Sequence, residues 1–302
     1  MKIAFHTAFI MTVFAILSVN AAQLPRPKVP RQEFQDPHTL NLPEPPEYMC
    51  RRTEGPITVD GRLDEASWKK ARWMGPFVDM EKGTKVQYDT RVAFLWDDEA
   101  LYAGFRCEEP DVFGVETKRD GSVGADQDFE VFILGEGTYY ELEMNALNTI
   151  DEVFWTSVRP LIEQRNVAAL DRLFRAQRFI YEPIGEDYDM RHGSYHWDFP
   201  GLRTAIYVDG SLNWNQDRDR GWSGELVFPW KGWGDLAQGV RSIPPKEGDI
   251  WRIGCSRVEH GRDAQGHVVW GRDWSIAQHG KIQMHVPHRW PYVIFTKEVV
   301  GQ

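Results

Sequence analysis

The segment Asp126–Asn148, DQDFEVFILGEGTYYELEMNALN, constrains the fold more than any other part of the chain, because it fixes its own pairing. It reads as two strands around the turn Gly135-Glu136-Gly137. With Glu136-Gly137 as a two-residue loop, Gly135 faces Thr138. Phe129 then faces Met144, Val131 faces Leu142 and Ile133 faces Tyr140, giving one apolar face. The other face sets Asp128 against Asn145, Glu130 against Glu143 and Phe132 against Glu141. A three-residue loop would place Asp128 opposite Met144 and mix the faces, so that register is rejected. The chosen register sets two carboxylates about 5 Å apart at Cβ, where like charges repel. A cation, an arginine, a shared proton or a bound ligand must offset that repulsion. The face carrying Asp126, Asp128, Glu130, Glu143 and Asn145 is therefore the leading candidate site.

The chain of 302 residues is 42% hydrophobic and carries a formal charge of -10. It can bury a substantial core, and its charge argues against nonspecific binding to nucleic acid or anionic membranes. Residues 1–22 read as a secretory signal peptide: Lys2, an apolar run from Ala8 to Val19, then Ala21-Ala22. No later stretch is long enough to span a membrane, so an exported mature protein, secreted or periplasmic, is expected. Three Cys residues leave at least one unpaired, and free buried thiols are the expected state of Cys50, Cys107 and Cys255.

Residues 23–56 hold eight prolines and read as an extended leader lying on the surface of the folded region, 57–302. LDEASWKKA, from Leu63, suggests a short helix. Short strands follow: Arg91–Trp96, Leu101–Glu108, the hairpin, Glu152–Ser157, Arg203–Val208, Gly221–Phe228, Asp249–Glu259, Val268–Trp270 and Trp290–Thr296. Arg159–Phe179 breaks the rhythm as a short helical insertion, and Glu182–Pro200 reads as a Tyr-, His- and Asp-rich loop. The expected fold is all-β: an antiparallel β-sandwich, immunoglobulin- or jelly-roll-like.

In order along the chain come ITVDGRLDEASWKKA, RVAFLWDDEALYAGFRCEEPDV, DQDFEVFILGEGTYYELEMNALNTIDEVFW, WDFPGLRTAIYVDG, GWSGELVFPWKGW, WRIGCSRVE and HVPHRWPYVIF. This succession, from about Ile57 to Phe295, resembles the family 9 carbohydrate-binding modules and their wider relatives. The resemblance implies a β-sandwich that binds an oligo- or polysaccharide without catalysis of its own, in a setting of polysaccharide breakdown. It also implies a glycan-degrading enzyme as a possible partner, and structural calcium without any required cofactor. In that family two Trp residues clamp a terminal sugar, at positions that fall here near Gly124 and Met284. The family's Glu in the first hairpin strand is kept as Glu130, while the facing position that carries a basic residue in clamp-type members falls at Glu143. Substitute aromatic platforms would come from Trp155, Tyr195, Trp197, Trp274 and Trp290.

The expected ligand-binding set is thus Asp128, Glu130, Glu143, Asn145, Trp155, Arg272 and Trp274, with Arg272 or Arg159 as charge partners. Carboxylates and amides beside an aromatic face suit vicinal sugar hydroxyls. Asp126 and Asp128 are candidate metal ligands, and the acidic runs 97–99 and 217–219 could likewise supply oxygen to calcium in a structural or surface protein. A glycoside hydrolase is the other alternative, because retaining glycosidases hold two carboxyls ~5 Å apart.

Overall fold

The computed structural model describes residues 39, 41–135, 137–157, 191–237 and 241–302. The signal peptide and the helical insertion expected from the sequence lie outside these residues, as does half of the leader. Among the described residues, no helix is long and apolar enough to cross a membrane.

Thirteen strands are described: β1 (Glu47–Arg52), β2 (Val78–Asp79), β3 (Thr90–Trp96), β4 (Ala100–Glu108), β5 (Asp128–Leu134), β6 (Thr138–Asn145), β7 (Ile150–Ser157), β8 (Arg191–Ser194), β9 (Arg203–Asp209), β10 (Gly221–Pro229), β11 (Ile250–Arg262), β12 (Val268–Ser275) and β13 (Tyr292–Val299). Their hydrogen bonds run in the order β8-β7-β6-β5-β11-β13-β1-β3-β4-β10-β9, with β12 and β2 attached beside β11. β11 turns the corner. Its first residues pair with β13, and Ile253–Ser256 pair with β5. The sheet therefore curls until its two halves face each other. Phe105 of β4 stacks on Phe129 of β5 at 3.9 Å between ring centres, and Phe228 of β10 meets Tyr140 of β6 edge-on. The all-β sandwich expectation holds.

β1 differs from expectation. The proline-rich sequence predicts a surface leader over Glu47–Arg52, yet this strand lies parallel to both β13 and β3 with Tyr48 and Cys50 buried. Pro46 ends the proline run, so from Glu47 onward every residue can donate to a ladder. The Tyr48 hydroxyl ties the strand in, donating to the Phe94 carbonyl at 2.9 Å and accepting from the Phe94 amide at 3.0 Å. Arg191–Ser194, read as loop, extends the sheet edge by pairing with β7. Cys50, Cys107 and Cys255 are all buried free thiols.

The segment before helix α1 (Ala66–Lys70) is fastened to β10 by one carboxylate. Buried Glu225 accepts the amides of Asp60 and Gly61, each at 2.8 Å, and the Trp68 indole N–H at 2.7 Å. Gly61 is required here. Its φ is +81°, and a Cβ would stand 2.5 Å from backbone atoms of Ile206 and Tyr207. Glu225→Gln keeps the shape but turns an amide N–H₂ toward these donors. It should cost about 1–3 kcal/mol in urea unfolding, and an unchanged midpoint would show that the clasp is dispensable.

Candidate functional site

The hairpin forms in the expected register, with Asp128 paired to Asn145, Glu130 to Glu143 and Ile133 to Tyr140. The turn closes through the Gly135 amide, which donates to the Thr138 carbonyl at 2.8 Å. Because Phe129, Val131 and Ile133 fill the core, every alternate residue lands on the opposite face. Pairing with β7 and β11 extends that face into rungs. One rung reads Ser256, Glu130, Glu143, Asp151; the next reads Gly254, Phe132, Glu141, Val153. Beyond them Leu134, Tyr139, Trp155 and Gly193 stand in line.

The rungs divide the face into an acidic end and an aromatic end. At the acidic end Asp128 and Glu130 are buried while Glu143 is half-buried. Each is held by a donor on one oxygen. The Val258 amide reaches Asp128 Oδ1 at 2.9 Å, the Ser256 hydroxyl donates to Glu130 Oε2, and the Gly124 amide reaches Glu143 Oε2 at 3.1 Å. Burial pushes the Asp128 carboxyl well above its ordinary range, with Glu130 and Glu143 adding to the effect. Glu130 is raised by the same causes: burial first, then Glu143. A cavity of about 440 Å³ adjoins this end, lined by Glu116, Lys118, Asp120, Ser122, Glu143, Asp151 and Tyr195.

At the aromatic end the closing segment folds over the sheet. Trp290 stacks on Phe132 at 5.4 Å and meets Tyr139 edge-on. The Trp155 indole N–H donates to Glu141, and the Tyr139 hydroxyl bonds His285 Nδ1 at 2.8 Å. Met284, where the family's second Trp would fall, packs against this cluster.

The structure gathers some of the expected residues and separates others. Asp128, Glu130 and Glu143 come together. Asn145 is spent on structure: its Nδ2 donates to Asp126 Oδ2 at 2.9 Å, and its Oδ1 accepts the amides of Leu147 and Thr149. Asp126 Oδ2 also holds the amides of Val115 and Glu116. Trp155 shares the face but is buried under the aromatic cover. Arg272 and Trp274 do not reach the face. β12 sets them opposite Glu259 and Arg257, one residue out of phase with Ser256, so both belong to the other side of the sheet. Arg159 lies outside the described residues. Of the aromatic platforms considered, Tyr195 lines the cavity, whereas Trp155, Trp274 and Trp290 are buried. Sequence reading did not single out Asp151. Its signal is the alternation Asp151, Val153, Trp155, which places it beside Glu143 once β7 pairs with β6.

The acidic runs 97–99 and 217–219 bond their own turns. Asp97 Oδ1 accepts the amides of Glu99 and Ala100, and its other oxygen takes the Tyr102 hydroxyl. Asp219 likewise accepts the amides of Val112 and Ser211. These carboxylates complete turns.

No protein-family model and no curated protein matches the chain. Solved structures do. A candidate carbohydrate-binding protein from Bacteroides uniformis matches at 12% identity and a TM-score of 0.54, over 83% of this chain and 99% of its own. Two structures of a family 9 carbohydrate-binding module from Caldicellulosiruptor kristjanssonii also match. The complex with cellotriose is 12% identical, with a TM-score of 0.47 and coverage of 82% and 94%; the complex with glucose is 10% identical, with a TM-score of 0.46 and coverage of 82% and 96%. At these identities the likeness is one of fold.

Proposed function

We propose that this protein binds carbohydrate, without catalysis of its own, in the acidic cavity beside β6 and β7. The observation that carries this reading is the cavity's lining. Carboxylates of Glu116, Asp120, Glu143 and Asp151 meet the half-buried ring of Tyr195 around a space of about 440 Å³. That volume lies within the ~300–1,000 Å³ of ordinary small-ligand sites. Carboxylate oxygens accept from neighbouring sugar hydroxyls, and an aromatic ring covers the less polar face of a pyranose. Hydrolysis has less support. Glu130 is only 2% exposed, so a glycosidic bond has no room between it and Glu143. The setting we propose is an exported protein serving polysaccharide breakdown beside a glycan-degrading enzyme.

Calorimetric titration with a panel of neutral and acidic oligosaccharides tests the reading. At least one should bind, and Glu143→Gln should lose a charge-assisted hydrogen bond of ~1.5–3 kcal/mol, on the order of 10- to 100-fold in affinity. A flat response across the panel, or equal affinity in the variant, would overturn it. Export of the full chain to periplasm or medium checks the setting.

A further inference from the structure

We propose that Asp128, Glu130 and Glu143 form a site for one hard divalent cation of calcium's size. One oxygen from each carboxylate lies within 4.8 Å of the others. Calcium binds oxygen at ~2.3–2.6 Å, so two ligands across one ion stand roughly 4.6–5.2 Å apart, and three oxygens at this spacing can share it.

A second observation points to the same place. Asp128 Oδ2 has no hydrogen-bond partner, and its side chain is wholly buried. A carboxylate oxygen removed from both water and donors is costly unless a cation meets it. The charged neighbours of Asp128 only deepen the need, since Glu130, Glu143 and Asp273 are all acids.

The surroundings are built as the outer shell of a metal site is. The Val258 amide, the Ser256 hydroxyl and the Gly124 amide each grip one oxygen of a different carboxylate, which sets the direction of the other. Gly124 contributes by lacking a side chain. A Cβ there would lie 3.4 Å from Glu143 Oε2 and 3.6 Å from Asp128 Oδ2, over the space between them. Glu143 also lines the cavity, so an ion would have an entry path and room for water on its remaining positions. Three ionised carboxylates and one dication sum to a single negative charge, whereas without a cation burial and mutual repulsion favour protonated Asp128 and Glu130.

The cation site shares Glu143 with the carbohydrate cavity, but it is tested without any saccharide. The full chain, stripped with chelator and desalted, is titrated with calcium by calorimetry and melted with and without calcium. One ion should bind, and the melting temperature should rise. Asp128→Asn and Glu143→Gln should each weaken binding by at least about tenfold and abolish the thermal shift. Glu143 is only half-buried, so its variant keeps the test interpretable if the Asp128 change impairs folding. No binding of calcium, magnesium or manganese at millimolar concentration would overturn the proposal, as would calcium binding indifferent to Glu143→Gln. Cation binding in a protein that takes up no saccharide would support this site while removing the carbohydrate reading.

Discussion

Arg257→Met is expected to destabilise the protein by about 3–5 kcal/mol, because it leaves buried carboxylates without their cation. Arg257 is fully buried on β11, with one terminal nitrogen 2.7 Å from Glu109 and 2.5 Å from Glu259. The other donates to Thr90 Oγ1 at 2.9 Å and to the Glu108 carbonyl at 3.0 Å. One guanidinium faces two acids, so charge balances only if the acids share a proton. Burial, then Glu259, pushes Glu109 up to about 9, and Arg257 opposes the shift. A hydrogen bond between the two carboxyls fits Glu109 as the protonated partner and Glu259 as its acceptor. The pH dependence follows in sign. The folded value lies above the ordinary 4.5, so this stabilisation is complete below about 4.5 and lost as pH rises through about 9. Glu109→Gln can donate the same hydrogen bond at every pH, and should flatten that decline. Urea melts from mildly acidic to mildly alkaline pH measure both effects. An Arg257→Met midpoint near that of the parent, or parallel pH profiles for the parent and Glu109→Gln, would refute the shared-proton arrangement.

The hairpin was legible because two local signals agree there. The glycine-flanked turn sets the loop length, and the alternation of Phe129, Val131 and Ile133 allows only one phase with Tyr140, Leu142 and Met144. Elsewhere the needed signal was not local. Arg272 and Trp274 were drawn to the acidic face by their residue types, but phase is decided by the β11–β12 ladder, whose register shifts between Glu259 and Gly261. β1 was hidden because strand character competes with proline content in any short window, and its partners β13 and β3 lie far away in sequence. The acidic end of the site was therefore readable as a list of residues. Its floor was not, since Ser256, Val258 and Gly124 reach the carboxylates only after β11 and the turn before β5 are in place.

Trp290→Ala should be the other large loss, again about 3–5 kcal/mol. Trp290 is 1% exposed and stacks on Phe132, with its indole N–H donating to the Met284 carbonyl at 3.0 Å. Beneath it lies Gly254, where any side chain would collide with the indole ring. The ring thus occupies space that only glycine leaves open, and nothing adjacent can collapse into it. Its carbonyl accepts from buried Arg252, so the residue pins the closing segment by both ring and backbone. That segment carries His285, which bonds Tyr139 and accepts the Arg191 guanidinium on its carbonyl at 2.9 Å. Loss of the ring should loosen this cover and wet buried Glu141. For a domain of this size, 3–5 kcal/mol corresponds to roughly 6–20 °C in melting temperature. Trp290→Phe keeps the stack and forfeits the indole hydrogen bond, so its loss should be clearly smaller. Equal melting temperatures for the Ala and Phe variants would mean that packing on Gly254 and Phe132 is not what holds the segment down. Saccharide affinity, measured below the melting range, should change far less than in Glu143→Gln, because Trp290 covers the aromatic end of the face and Glu143 lines the acidic one.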